Sequence, residues 1–355
     1  MTPRALLVVI ITLTTSQLFA AEPRDTPLDK AAREQVIATA LSWIDKVYVF
    51  PDGANKLVQA LHEQQRRGAY DKITSSVELA KTLTHDLRAA VNDLHINVIY
   101  NERPVPPDRQ PEGRMSRGEI ERMRAIGAPN NFGFIKVEIL EGNIGYVRLD
   151  GFDMAMNGGD TAAATMAFVA NSDALIFDLR ENHGGDPTMV QLLLGYLLEG
   201  EPVHFNDFVY RDTSKTEQYW SNAWVPGKRY LDKPVYVLTS NTTFSCAEEF
   251  AYDLQTQKRG VTVGEATGGG AHPVAFYRLS EHLGLTVPFA RALNPITHSD
   301  WEGKGVQPDV PVGADKALAQ ATVLAAQQIA QHPRDARHAE TLQQVLKDAK
   351  ATLAK

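Results

Sequence analysis

Apolar positions change their period along this chain, and each change marks a boundary. Between Asp29 and Val91 they recur at helical spacing: Ile37, Leu41, Ile44 and Tyr48 share one face, and Leu79, Leu83 and Leu87 another. Breaks at Pro51-Asp52-Gly53 and Gly68-Ala69-Tyr70-Asp71 divide the stretch into three helices, the last opened by Thr74 or Ser75 as N-cap. Such faces need mutual cover, which implies an antiparallel helical domain over residues 22–101. From Pro104 to Gly127 prolines, arginines and glycines dominate and neither period survives, so residues 102–131 read as a linker with room for one short helix. Then come two β-rich runs, Phe134 to Leu140 and Ile144 to Leu149, joined by the hairpin signal Glu141-Gly142-Asn143. Beyond them helical and strand patterns alternate: helices over 162–170, 188–198 and 247–257, strands over 174–178, 235–238 and 261–264. That alternation implies βαβ crossovers and a largely parallel sheet covered on its faces, an α/β core over residues 132–315. The Ala- and Gln-rich tail, 316–355, reads as a helical pair broken near Pro333 and packed on the core, and no internal repeat is present.

Composition narrows the possible functions. The 355 residues are 43% apolar and 22% charged, enough for a sizeable core, and the formal charge is −7. No basic stripe interleaved with aromatics occurs, and the arginines from Arg103 to Arg124 are diluted by glutamates and prolines, which argues against a nucleic-acid surface. Residues 1–21 carry Arg4, an apolar run from Ala5 to Leu13, a polar Thr14-Thr15-Ser16-Gln17 and the small residues Ala20 and Ala21. This is the pattern of a secretory leader cleaved near Ala20/Ala21, with an apolar run short of the ~20 residues of a bilayer span. The mature chain is therefore expected in the periplasm or outside the cell, with no membrane span. Cys246 is the only cysteine, so no intrachain disulfide forms. Neither Gly-x-Gly-x-x-Gly nor Gly-Lys-Ser/Thr is present, nor His-Glu-x-x-His, so no cofactor and no metal are expected.

One corner of the chain has the makings of acyl-transfer chemistry. The strand Val235-Tyr236-Val237-Leu238 runs through Thr239 to Phe244 into Ser245-Cys246-Ala247-Glu248, where a helix opens. A serine there is exposed beside the unpaired N–H groups and partial positive charge of a helix N-terminus. Ser-x-x-Glu is also the capping-box pattern, so the same four residues fit a plain N-cap. A second strand, Ala174 to Asp178, leads into Glu181-Asn182-His183-Gly184-Gly185-Asp186. Paired glycines there let amides approach a substrate carbonyl, and with the Cys246 amide they would supply two oxyanion donors; a βα turn needing positive φ is the plainer account. A serine needs a base to take its proton, and His95, His183 and His272 are available; spacing does not choose among them. A thiol nucleophile at Cys246 is the weaker option, since a lone cysteine usually serves as a small buried apolar group.

Taken together, these motifs resemble the interphotoreceptor retinoid-binding-protein branch of the C-terminal-processing, or tail-specific, serine proteases. Tyr48-Val49-Phe50-Pro51, Gly68-Ala69-Tyr70-Asp71 and Asp93-Leu94-His95 resemble the branch's helical N-terminal domain. Asp178 to Gly185, Thr243 to Phe250, Gly264 to Gly269 and Trp301 to Asp309 resemble its core blocks, in the family's order. The resemblance implies a crotonase/ClpP-like β/α spiral core behind an N-terminal helical domain, and endopeptidase chemistry on peptides or unfolded protein tails. It implies Ser245 as nucleophile, His95 as general base with His272 the alternative, and Glu302 as the acid that orients the base or a bridging hydroxyl. Gly184 or Gly185 with Cys246 would form the oxyanion hole. The lysine base of the bacterial processing enzymes is replaced here by Gly269-Gly270-Ala271, the serine that precedes the histidine in tricorn-type enzymes is replaced by Leu94, and no PDZ domain fits between Tyr100 and Phe132. Because the branch also contains binding proteins, a non-catalytic carrier of retinoid-like or fatty-acyl ligands is the alternative function.

Overall fold

A computed structural model describes residues 25–106, 117–211 and 215–355; the expected leader lies outside the described residues. The three N-terminal helices form where their apolar faces and caps place them: α1 (Lys30–Val47), α2 (Pro51–Arg66) and α3 (Ser76–Val91). Asp29 caps α1 by accepting the Ala32 amide at 2.8 Å, and Pro51 opens α2, where its missing N–H has no partner to lose. Ser75, not Thr74, caps α3, accepting the Glu78 amide at 2.9 Å, and Asn92 in the left-handed region ends it. Ile37, Ile44, Leu57, Leu61, Leu79, Leu83 and Leu87 meet in one apolar core.

That core is not closed by the helices alone. Strand β1 (Asn97–Tyr100) follows α3, and its partner comes from far along the chain. After β1 come α4 (Arg117–Gly127) and a short 3-10 turn over Ala128–Gly133, so the expected linker does hold one helix. The remaining elements are β2 (Phe134–Leu140), β3 (Ile144–Leu149), α5 (Ala155–Val169), β4 (Ala174–Asp178), α6 (Pro187–Leu197), β5 (His204–Tyr210), β6 (Thr216–Trp220), β7 (Val235–Thr239), α7 (Cys246–Thr256), β8 (Val261–Gly264), β9 (Val274–Arg278), β10 (Leu283–Pro288), β11 (Ala290–Leu293), β12 (Val310–Pro311), α8 (Ala317–Ile329) and α9 (Ala336–Leu353). Strand β10 pairs antiparallel with both β1 and β9, and Tyr277, Leu283, Leu285 and Val287 from this sheet pack into the helical core.

The main sheet has six strands in the order β12-β8-β7-β4-β3-β2. Only β2 and β3 pair antiparallel, as the hairpin signal required; the other neighbours are parallel. From β3 through β4 and β7 to β8 the strands step across the sheet in one direction. Crossovers of one hand then place every connecting helix on the same face. The side chains agree: Leu175, Phe177, Val235 and Val237 pack with α5, α6 and α7. Their strand neighbours Ala174, Ile176, Tyr236 and Leu238 point to the opposite face, where α8 and α9 cover them through Ala317, Ala321, Ala325, Leu342 and Val345. This singly wound mixed sheet is the β/α spiral core expected. The tail is thus a full layer of the core, with small alanines letting α8 lie close to the strands. A second antiparallel sheet, β11-β5-β6, has no counterpart in the sequence reading and stands beside the Ser245 corner.

Candidate active site

Ser245 stands at the strand-to-helix corner between β7 and α7, and its backbone separates two roles that share one sequence pattern. Ser75-x-x-Glu78 and Ser245-x-x-Glu248 are both capping-box sequences. Ser75 has the extended backbone of an ordinary cap, φ −107° and ψ 127°. Ser245 sits at φ 56° and ψ −124°. A β-carbon makes that region unfavourable by about 1–3 kcal/mol, so the surrounding structure must hold it there. The Ser245 amide donates to Glu248 Oε2 at 2.8 Å, which supplies part of that hold. The same carboxylate accepts the amides of Gly269 at 2.7 Å and Gly270 at 2.8 Å, and the Thr267 hydroxyl. Burial raises the Glu248 pKa, although these donors oppose it. One buried acid therefore fixes the serine corner and the glycine loop 267–272 to each other.

The glycine pair lies directly against this corner. Gly184 has φ 95°, and a β-carbon there would sit 2.7 Å from the Ser245 β-carbon; Gly185 has φ 144°, and one there would sit 1.9 Å from the Phe152 carbonyl oxygen. Both positions require glycine. Their amides differ in availability. The Gly184 amide donates to Asn182 Oδ1 at 2.8 Å. Phe152 bonds to the residues on either side of Gly185, through Gly184 O and the Asp186 amide, which turns the Gly185 amide away from that strand. Cys246 is the first residue of α7, where an amide has no helical partner. Among the described residues neither the Gly185 nor the Cys246 amide has a hydrogen-bond acceptor, and Gly184 supplies the close approach. The Cys246 thiol, whose pKa burial pushes well up, donates to Gly185 O at 3.3 Å.

Two of the three histidines considered reach this region. His95 is buried, its ring 4.6 Å from that of Phe244, the residue before Ser245. A β-carbon on Gly270 would meet both Phe244 and the His95 ring, so these groups enclose one spot. Both ring nitrogens of His95 are buried and unpartnered among the described residues. Burial lowers its pKa to about 4, against the pull of Asp93, so the ring is neutral across the physiological range. His272 is held more tightly: its Nδ1 lies 3.0 Å from Asp93 Oδ2 and 3.5 Å from Glu302 Oε2. Burial disfavours its charge, but the Asp93 hydrogen bond and the charges of Glu302 and Asp93 prevail and raise its pKa. Glu302 accepts the Ala271 amide at 2.6 Å and leaves Oε1 buried without a partner among the described residues; burial lifts its pKa to about 7. His183 is exposed and is not among the residues that line the pocket with Ser245.

Asp93 is the hub that residue spacing did not reveal. Its Oδ1 accepts the His95 amide at 3.0 Å, and its Oδ2 accepts both the Tyr48 hydroxyl and His272. Burial works against its charge, yet the His272 hydrogen bond and charge keep its pKa below the ordinary value. The only trace in the sequence was its place next to His95 in the Asp93-Leu94-His95 block. Leu94 itself is 40% exposed and takes no part. Among the described residues, Asp93, His272 and Glu302 bring three ligand atoms within 4.8 Å of one another, the spacing of a cation site. Asp93 Oδ2 is already saturated by Tyr48 and His272, so a proton network accounts for the cluster.

Ser245, Cys246, Gly185 and His272 line one pocket of about 300 Å³. Its walls come from the β11-β5-β6 sheet and from Trp301, whose indole donates to Gly270 O at 2.8 Å.

Comparison with known proteins places the chain in a family. The pattern of peptidase family S41 matches residues 143–312, which hold Ser245, the glycine pair and Glu302. The N-terminal domain of the S41 peptidase in eukaryotic IRBP matches residues 29–126, which hold His95 and Asp93. The chain belongs to peptidase family S41. Carboxyl-terminal-processing peptidase 2, chloroplastic, of Arabidopsis thaliana is 32% identical over 171 residues, 48% of this chain and 32% of that protein. The carboxyl-terminal-processing protease of a Synechocystis strain is 28% identical over 167 residues, 47% of this chain and 37% of that protein. The S41 chain thus matches about a third of the length of these relatives. A lipoprotein from Streptococcus agalactiae shares the fold, with TM-score 0.57 at 12% identity over 85% of this chain and 98% of that one. Mature CPAF does so with TM-score 0.54 at 13% identity over 81% and 94%. The residues between Tyr100 and Phe134 form only α4 and a turn where they are described, so no PDZ domain intervenes. No helix of the described residues is long and apolar enough to cross a membrane.

Proposed function

We propose that this S41 chain is an exported serine endopeptidase that hydrolyses peptides or unfolded protein tails through an acyl-enzyme on Ser245. The strained Ser245 backbone carries the reading: an ordinary cap of the same sequence, Ser75, needs no such conformation, whereas a nucleophile that must stand clear of its strand and helix does. Ser245 Oγ attacks the scissile carbonyl carbon while the base takes its proton, and the negative oxygen is received by the Gly185 and Cys246 amides. The base then gives the proton to the leaving amine as the C–N bond breaks, and water releases the acyl group by the same steps in reverse.

We assign the base to His95, because it is neutral, unpaired and enclosed with Phe244 against the Ser245 corner. A buried imidazole with two idle nitrogens is costly unless a ligand uses them. Glu302 meets the same Gly270–Ala271 turn as His95 and would orient the base through its free Oε1. His272, paired with Asp93, is the alternative base. The carrier reading for retinoid-like or fatty-acyl ligands gains nothing from a pocket that holds two carboxyl groups, Asp186 and Glu249.

Replacing Ser245 by Ala is expected to abolish both peptide hydrolysis and labelling by a fluorophosphonate. A Ser245→Ala protein that still cleaves peptides at the wild-type rate would refute the assignment.

A further inference from the structure

The pocket beside Ser245 has an uncommon floor. Glu249, the residue after the capping Glu248, is 3% exposed and lines this pocket with Asp186. Asp186 raises the proton affinity of Glu249, and both carboxyl groups act on the Cys246 thiol. The donor that reaches Glu249 is neutral, Asn206 Nδ2 at 2.6 Å, with the Cys246 thiol beside it. Asn206 cannot turn to offer something else, because its Oδ1 accepts the Leu293 amide at 3.1 Å. Among the described residues no lysine or arginine lines the pocket. Its walls include aromatic rings: Phe208 and Tyr219, with ring centroids 4.3 Å apart, and Trp301. A buried carboxyl with no cation normally signals a missing partner or a group kept protonated. Burial and the neighbouring Asp186 raise the Glu249 pKa to about 7, a group poised to ionise when a cation arrives.

We propose that this pocket takes the side chain of the residue that donates the scissile carbonyl, and that it selects lysine or arginine, whose cation reaches Glu249 and Asp186. The proposal rests on Ser245 being the nucleophile, since that places the pocket next to the scissile bond. Aromatic walls suit the alkyl stem of such a side chain and attract its cation through their ring faces. A volume of about 300 Å³ admits either side chain.

The test uses a set of fluorogenic peptides that differ only at that residue: Arg, Lys, Gln, Leu and Ala. We expect kcat/KM for Arg and Lys to exceed Leu by about tenfold or more, and Glu249→Gln to bring the Arg-to-Leu ratio close to one. Leu or Ala peptides cleaved as well as Lys and Arg would overturn the proposal, as would a ratio unaffected by Glu249→Gln. Should Glu249→Gln not fold, Asp186→Asn is read in the same ratio. A calorimetric titration of benzamidine into the Ser245→Ala protein separates this proposal from the catalytic one. Saturable binding that an arginine-bearing peptide displaces supports the cation pocket even if Ser245 does no chemistry, and absence of binding overturns it. Lack of fluorophosphonate labelling in the wild-type chain, by contrast, counts against the nucleophile alone.

Discussion

At the scale of single residues, the decisive contrasts are between chemically identical side chains in different surroundings. His95 and His272 differ by partner: among the described residues the ring of one has none, the other has Asp93. Their pKa values move apart accordingly, to about 4 for His95 and above 6.5 for His272. Since kcat/KM reports the free enzyme, a His95 base predicts an acid limb that falls well below pH 6.5, and a His272 base one above it. Measuring that limb, with His95→Ala and His272→Ala beside it, decides which ring takes the proton; a limb above pH 6.5 that disappears only in His272→Ala would transfer the role. Glu249 makes a second prediction. Its folded pKa, about 7, exceeds its ordinary 4.5, so its stabilising contribution is complete below about pH 4.5 and is lost as the pH rises through 7. Glu249→Gln should therefore gain stability relative to wild type between pH 5 and pH 8, as read from urea midpoints. A difference that stays constant across that interval would show that the carboxyl does not titrate there.

Among the structural elements, the corner between β7 and α7 and the loop 267–272 act as one unit because Glu248 serves both. The sequence pattern showed half of this, the capping box, since capping is local and its spacing is set by helix geometry. The bonds to Gly269 and Gly270 span 21 and 22 residues, and no periodicity encodes them. Glu248→Ala leaves up to four donors without their acceptor in a buried site. We expect a loss of about 2–4 kcal/mol in unfolding free energy and of most activity, with Glu248→Gln intermediate because one amide oxygen remains to accept. Calorimetry and peptide turnover on the two variants test this; a Glu248→Ala protein as active as wild type would show that the loop holds its place unaided. The helices and parallel strands were legible for a related reason: each carries its own period and its own stop signals. Strands β5, β6, β9, β10 and β11 were not read, because they are short and take their stability from partners remote in sequence, as β10 does from β1.

For the molecule as a whole, the N-terminal helices and the C-terminal half of the core are joined through the β1-β10-β9 sheet. Leu285 is fully buried in β10 and packs into the helical core, although almost two hundred residues separate it from those helices. Leu285→Ala should cost about 2–5 kcal/mol. Because this sheet also carries the loop with His272, it should lower activity as well as the thermal midpoint, and a lower midpoint with unchanged kcat/KM would mean that the helical part does not support the site. The amino-acid sequence alone determined the three helices, the hairpin, the alternation of helices and strands that implies a parallel sheet, and the serine corner, because periodicity, caps and turn residues act over a few neighbours. It also carried the family blocks that order Ser245, the glycine pair, His95 and Glu302. What the tertiary structure alone decided was company: that Asp93 binds His272, that Gly184 spends its amide on Asn182, that Glu249 floors the pocket, and that Ser245 is held where Ser75 is not. Those facts depend on distance through space between segments far apart in the chain, and burial, which sets the charge of each group, exists only once they have met.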